Sequence, residues 1–311
     1  MAKKTARKTA QKPAKKIAKQ PAYDRAAEDS GNIVSLEHVN VQIDDQRLST
    51  LFYIAGLGLT RDPYMMTTVT NMWATVGRSQ FHLPTNTPQV LRGRIGLVMP
   101  ELDSLVNRLE FVKKDLKGTK FGFKSPNGNA AVDVTCPWGN RFRVHSPDPE
   151  RFGPYSLGLP YVQFDVPTGA APGIARFYEQ IVDAPSRVEK IDGARSARVK
   201  VGHGQELIFS ETRKNLPEFD GHHIQVYVND FSGPYNRLLE RGLVSQEDSQ
   251  YQYRFKDIVD PDDGKHLFTI EHEIRSLTHP LYARELVNRD PNQNIRNYVH
   301  GHSSRPYLLA R

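Results

Sequence analysis

LEHVNVQI, residues 36–43, reads as a strand, and three later segments repeat it: RGRIGLVM from Arg92, LPYVQFDV from Leu159 and GHHIQVYV from Gly221. Apolar and polar residues alternate through the first copy, the pattern of a half-buried strand. The starts lie 56, 67 and 62 residues apart, a period that fits one small αβ unit per copy. The third position of the four copies holds His38, Arg94, Tyr161 and His223. In a repeat that lends matching strands to a shared cup, this position faces the ligand.

Each copy opens a similar succession of elements. In the first unit LSTLFYIAGLGL reads as a short amphipathic helix ended by Gly56 or Gly58, followed by the strands MMTTVT, MWATVG and SQFHLP. The second has the helix ELDSLVNRLEFV, with Leu102, Leu105, Val106, Leu109 and Val112 on one face, then KFGFKS, AAVDVTC and RFRVHS. The third runs through PGIARFYEQIVD, ARVKVGH and QELIFSET, and the fourth through GPYNRLLERG, YQYRFKDIVD and HLFTIEHEI. One helix for about four strands favours an α+β fold over a parallel α/β sheet. Two such units side by side make a curved sheet with a concave face. The Pro- and Gly-rich SPDPERFGPYSLGLP marks a boundary. The expected organisation is a basic tail and linker (1–34), an N-terminal domain (35–147), a linker (148–158), a C-terminal domain (159–275) and an extension (276–311). LYARELVN, from Leu281, is expected to form a last helix.

The net charge of +7 belongs to the tail. Residues 1–22 hold eight cations and no acid, which leaves 34 of the 42 cations against 35 acids. Such a segment cannot bury enough apolar surface to order itself, and it offers a weak grip on nucleic acid or another polyanion. No apolar run is long enough to span a membrane. Cys136, the single cysteine, excludes an intrachain disulfide framework and fits a reducing, cytoplasmic compartment; its place where a strand enters a turn suggests packing. The Gly-Leu-Gly of 56–58 lacks the spacing of a phosphate loop. His300 and His302 sit in a polar terminal segment and read as incidental.

With these units in view, the chain resembles the vicinal oxygen chelate superfamily, which unites glyoxalases, bleomycin-resistance proteins and extradiol dioxygenases. The resemblance covers roughly residues 35–275 and rests on LEHVNVQI, the fourfold strand-helix order, and the segments PWGNRFRVH and DPDDGKHLFTIEHE. It implies paired βαβββ units and a divalent metal held in the cup by residues of the opening strands and a glutamate of a final strand. Carried over, His223 fits the opening-strand ligand of the fourth unit and Glu271 the final-strand glutamate, with Glu273 on the same face. Tyr161 stands where a ring-cleaving enzyme has its other histidine, as a third ligand or an acid. This departs from the 2-His-1-carboxylate set for Fe(II). Alternation points His222 and His266 away from that face. Gln163, Gln225 and Tyr227 share faces with these positions and suit a polar substrate.

In the first domain, His38 matches the opening ligand, and His82 lies near where lyase members carry a glutamate. Arg94 and Arg143 cannot ligate a metal, so this half is expected to be metal-free: a structural partner, or an anion pocket of His38, Arg94 and Arg143. The leading expectation is a metal-dependent enzyme of ring-cleaving dioxygenase or lyase/isomerase type acting on a small oxygenated molecule. Fe(II) goes with ring cleavage, and Mn, Zn or Ni otherwise. The alternatives are a metal-free binding protein of the bleomycin-resistance type and an interaction protein whose tail contacts nucleic acid. Four units in one chain allow a monomer, although a homodimer also fits.

Overall fold

The computed structural model describes residues 23–64, 70–125, 131–153 and 155–286. The basic segment 1–22, most of the strand expected at MMTTVT and the pair His300 and His302 lie outside these residues.

Among the described residues, sixteen strands follow the expected order. The first unit supplies β1 (Ile33–Asn40), β2 (Thr60–Arg61), β3 (Asn71–Val76) and β4 (Ser79–Pro84). The second supplies β5 (Gly93–Val98), β6 (Gly122–Lys124), β7 (Ala131–Thr135) and β8 (Arg141–His145). The third contributes β9 (Gly158–Pro167), β10 (Ser186–Ile191), β11 (Ala194–Lys200) and β12 (Glu206–Thr212). The fourth contributes β13 (His223–Val228), β14 (Val244–Ser249), β15 (Gln252–Val259) and β16 (His266–Ser276).

Each unit places one helical segment between its first and second strands. In the first unit Asp45 caps the start, accepting from the backbone N–H groups of Arg47 (2.7 Å) and Leu48 (3.0 Å). The α-helical turn Gln46–Ser49 then widens into π-type turns over Thr50–Gly56. Gly58, at φ +77, leaves the helix in the left-handed conformation that glycine tolerates. In the helix Leu102–Val112, Leu105, Leu109 and Val112 are fully buried, and Val106 only packs at the core's edge. Each fully buried leucine contributes about 1.5–3 kcal/mol. The segment from Leu281 forms turns rather than a helix as far as Leu286.

The strands form two mixed eight-stranded sheets, as the α+β reading expects. Their orders are β14-β15-β16-β13-β1-β4-β3-β2 and β10-β11-β12-β9-β5-β8-β7-β6. The cups are therefore not the two halves of the chain. The first unit pairs with the fourth through antiparallel β1 and β13, and the second pairs with the third through β5 and β9. The expected domains, 35–147 and 159–275, each contribute one unit to each sheet. Alternation within a unit fixes which face is apolar but not which opening-strand edge is its partner.

The sheets share one hydrophobic core and are pinned together by buried amides. Gln205 accepts from the N–H of Leu36 (3.0 Å) and donates to the carbonyls of Leu36 (2.9 Å) and Leu159 (3.1 Å), tying β1 to β9. Asn32 donates to the carbonyls of Val182 and Asp230. Cys136 is buried and accepts from the N–H of Asn140 at 3.2 Å. Burial pushes its thiol pKa up, which suits packing rather than nucleophilic work. Among the described residues no helix is long and apolar enough to cross a membrane.

Candidate metal centre

The first sheet carries a polar row across its middle. Strand register places Trp73 opposite His82, His82 beside Asn40, Asn40 opposite His223, and His223 beside Glu271. One pleat away a second row runs Gln80, His38, Gln225, Glu273 and Arg254. Residues two apart on a strand share a face, so both rows look into the same cup.

Three imidazoles converge there. The ligand atoms of His38, His82 and His223 all lie within 4.8 Å of one another. Nitrogens sharing one ion at about 2.1 Å are at most about 4.2 Å apart, so binding needs only a small inward rotation. Burial holds all three histidines well below their usual pKa, and their mutual repulsion and the nearby Arg254 and Arg275 add to it. They are neutral at neutral pH, the form that offers a lone pair. The Nε2 atoms of His38 and His223 are buried and have no hydrogen-bond partner among the described residues.

A β-bulge completes the setting of His38. The register slips between Leu36 and His38, so Glu37 escapes strict alternation and turns to the cup face. Its Oε2 lies 2.6 Å from His38 Nδ1. A carboxylate there accepts the Nδ1 proton and leaves Nε2 as the free lone pair, the usual setting of a metal-ligating histidine. His82 is fixed differently, stacked on Trp73 with ring centroids 4.0 Å apart.

The carboxylates are clamped. Arg254 donates to Glu271 Oε1 at 2.5 Å, to Glu273 Oε2, and to Asp248 Oδ2 at 3.1 Å. Arg275 contacts the other Glu273 oxygen at 2.6 Å. His223 lies between the acids, with Nδ1 3.5 Å from Glu271 and Nε2 3.5 Å from Glu273. Burial raises the pKa of Glu273, and the two arginines oppose it. Gln225 presents both amide atoms without a hydrogen-bond partner among the described residues, and the Tyr227 hydroxyl oxygen faces the Arg275 guanidinium. Burial pushes the Tyr227 pKa up, so it keeps its proton. Beside them a cavity of about 410 Å³ is bounded by Glu37, Gln80, Tyr227, Tyr282 and Arg284.

The structure thus brings His223, Glu271, Gln225 and Tyr227 to one cup and adds His38, which had been read as part of a metal-free half. Tyr161 and Gln163 are elsewhere. They lie on β9 of the second sheet, with Tyr161 hydrogen-bonded to His145 at 2.9 Å and Gln163 to Arg94 at 2.7 Å. The grouping of Tyr161 with His223 and Glu271 does not form, because the third and fourth units belong to different sheets. For the same reason His38 is separated from Arg94 and Arg143. His222 is buried against Asp220 at 2.6 Å, and the exposed His266 contacts Thr269, both outside the cup as alternation requires. Sequence reasoning passed over Glu37, Trp73 and Arg254. Only Arg254 left a signal, as the middle of the alternating Gln252, Arg254 and Lys256.

No protein-family model and no curated protein matches the chain. Solved structures do. A putative dioxygenase from Bacillus subtilis subsp. subtilis str. 168 is 13% identical with a TM-score of 0.54, over 85% of this chain and 89% of that one. Glyoxalase I from Zea mays is 13% identical with a TM-score of 0.53, over 78% of this chain and 92% of that one. The chain shares the fold of these two structures: four βαβββ units paired into two cups. Both cups are completed within one chain.

Proposed function

We propose that the chain is a metal-dependent enzyme acting on a small oxygenated organic molecule, of ring-cleaving dioxygenase or lyase/isomerase type. The observation that carries this reading is the convergence of three neutral imidazoles in a buried cup. The fit is chemical as well as geometric, since neutral imidazole nitrogens, unpartnered on His38 and His223, suit Fe, Zn or Ni. A divalent ion held by His38, His82 and His223 would supply Lewis acidity and orient adjacent substrate oxygens. Fe(II) follows if the reaction opens a ring.

The remaining residues take roles set by their contacts. Glu37 fixes the tautomer of His38. Trp73 holds the plane of His82 and screens it from water. The Gln225 amide faces the cup free to hydrogen-bond a polar substrate, and Tyr227, its oxygen beside Arg275, keeps its proton to donate. Glu273, raised by burial yet held by Arg254 and Arg275, is placed to take or return a proton beside His223. Glu271 is tied to Arg254 and Lys256 (3.5 Å), and it shapes the field of the cup rather than completing the ligand set. In the alternative reading, a metal-free binding protein, Arg254 has taken the place of the ion beside these carboxylates.

The chromophore 4-nitrocatechol, a vicinal diol, separates the two. With Fe(II), Mn(II), Zn(II) or Ni(II) added under nitrogen, its spectrum should shift only when protein and metal are both present, and His223→Ala should abolish the shift. A shift in chelator-treated protein that survives His223→Ala would reject the enzyme reading.

A further inference from the structure

The second cup repeats the first with arginines in place of two of its histidines. Register superposes β5 on β1 and β8 on β4: Asn40 pairs with His82 as Gly96 pairs with Arg143. Arg94 therefore stands where the first cup has His38, and Arg143 where it has His82. Tyr161 pairs with Glu206 as His223 pairs with Glu271, and Ile208 falls where Glu273 would be. Where the first cup gathers lone pairs, this one offers guanidinium donors, which bind no metal but suit a carboxylate or a phosphate.

The charge is only partly spent within the fold. Arg94 contacts Asp192 at 2.5 Å and Arg143 makes a two-point pair with Asp133 at 2.8 and 2.9 Å. Arg198 lies between Glu189 and Glu206. Arg151 and Lys200, also on the cavity wall, have no carboxylate partner among the described residues. The cavity measures about 270 Å³. One wall is apolar, formed by Phe152, Tyr161 and Ile208, a small cluster apart from the main core. Tyr161 packs its ring against Gly96, where a Cβ would come within 2.2 Å of it.

We infer that the second cup binds a small organic anion, a carboxylate or phosphate monoester on an apolar body. The guanidinium of Arg94 grips the charged end, supported by Arg151 and Lys200, and the apolar body rests against Ile208 and Phe152. Bare phosphate meets the cations but leaves that wall uncovered.

Titration calorimetry on the full chain with phthalate, phenyl phosphate, inorganic phosphate and neutral benzyl alcohol tests this. Phthalate or phenyl phosphate should bind, more tightly than inorganic phosphate, and Arg94→Gln should weaken binding about tenfold or more. Asp192→Asn provides a second test without risk to the core, since that side chain is 62% exposed. By freeing Arg94 it should tighten binding severalfold. The inference is overturned if neither organic anion binds at roughly 10 mM, or if benzyl alcohol binds as well as they do. An unchanged affinity in Arg94→Gln, or a weakened one in Asp192→Asn, overturns it too.

Discussion

Removing the carboxylate of Glu37 tests how the metal centre is built without touching a ligand. Its Oε2 lies 2.6 Å from His38 Nδ1, and Glu37→Ala leaves the His38 ring free to change tautomer and to rotate. Loss of such an outer carboxylate lowers metal affinity by about 10–100-fold, or ~1.4–2.7 kcal/mol. The effect can be read as linked stability. Zn(II) at a hundred times its dissociation constant stabilises the fold by about 2.7 kcal/mol, and a site thirtyfold weaker gives about 0.9 kcal/mol at the same concentration. Urea unfolding of wild type and variant, each with and without Zn(II), measures both terms, so any cost to the metal-free fold cancels. Glu37→Gln keeps a neutral acceptor and should fall between. If Zn(II) stabilises Glu37→Ala as much as wild type, Glu37 does not set the His38 lone pair and the ligand assignment fails.

Other outcomes follow from the same contacts. Arg254→Leu strands the buried carboxylates of Glu271 and Glu273 and should cost about 3–5 kcal/mol by urea unfolding; a loss below 1 kcal/mol would show that the clamp is not structural. Gly96→Ala drives a methyl group into the Tyr161 ring and should cost about 1–3 kcal/mol, with the phenol moved off His145; an unaltered melting curve would contradict it. Burial lowers His145 to about 4 and His272 to about 3. Below about pH 6.5 the unfolded chain therefore takes up protons that the fold refuses, and stability falls with pH until those folded values are passed. From pH 7 to pH 5 each should remove roughly 2 kcal/mol, so His272→Gln should flatten the dependence of the urea midpoint on pH. A slope equal to that of wild type would count against it.

The four opening strands were legible because they repeat one another, and the first shows period-2 alternation of apolar and polar residues, a local property. The same alternation placed His223, Gln225 and Tyr227 on one face and excluded His222. What the sequence did not display was partner choice. Every unit offers an equivalent antiparallel edge, and nothing local distinguishes β1 meeting β13 from β1 meeting β5. That one choice moved Tyr161 out of the site and His38 into it. A trace was present, since the first and fourth units share histidine at the third position whereas the second and third carry Arg94 and Tyr161. Glu37 was hidden for another reason: only a bulge turns it toward His38, and a bulge defeats the alternation rule used to read the strand.

Metal content decides the central claim most directly. The full chain, incubated under nitrogen with Fe(II), Mn(II), Zn(II) or Ni(II) in turn and dialysed, should retain close to one equivalent of at least one ion by elemental mass spectrometry. His38→Ala, His82→Ala and His223→Ala should each lose most of it while remaining folded by circular dichroism. Retention of none of the four ions, or equal retention when all three histidines are replaced together, would contradict a metal centre at this cup.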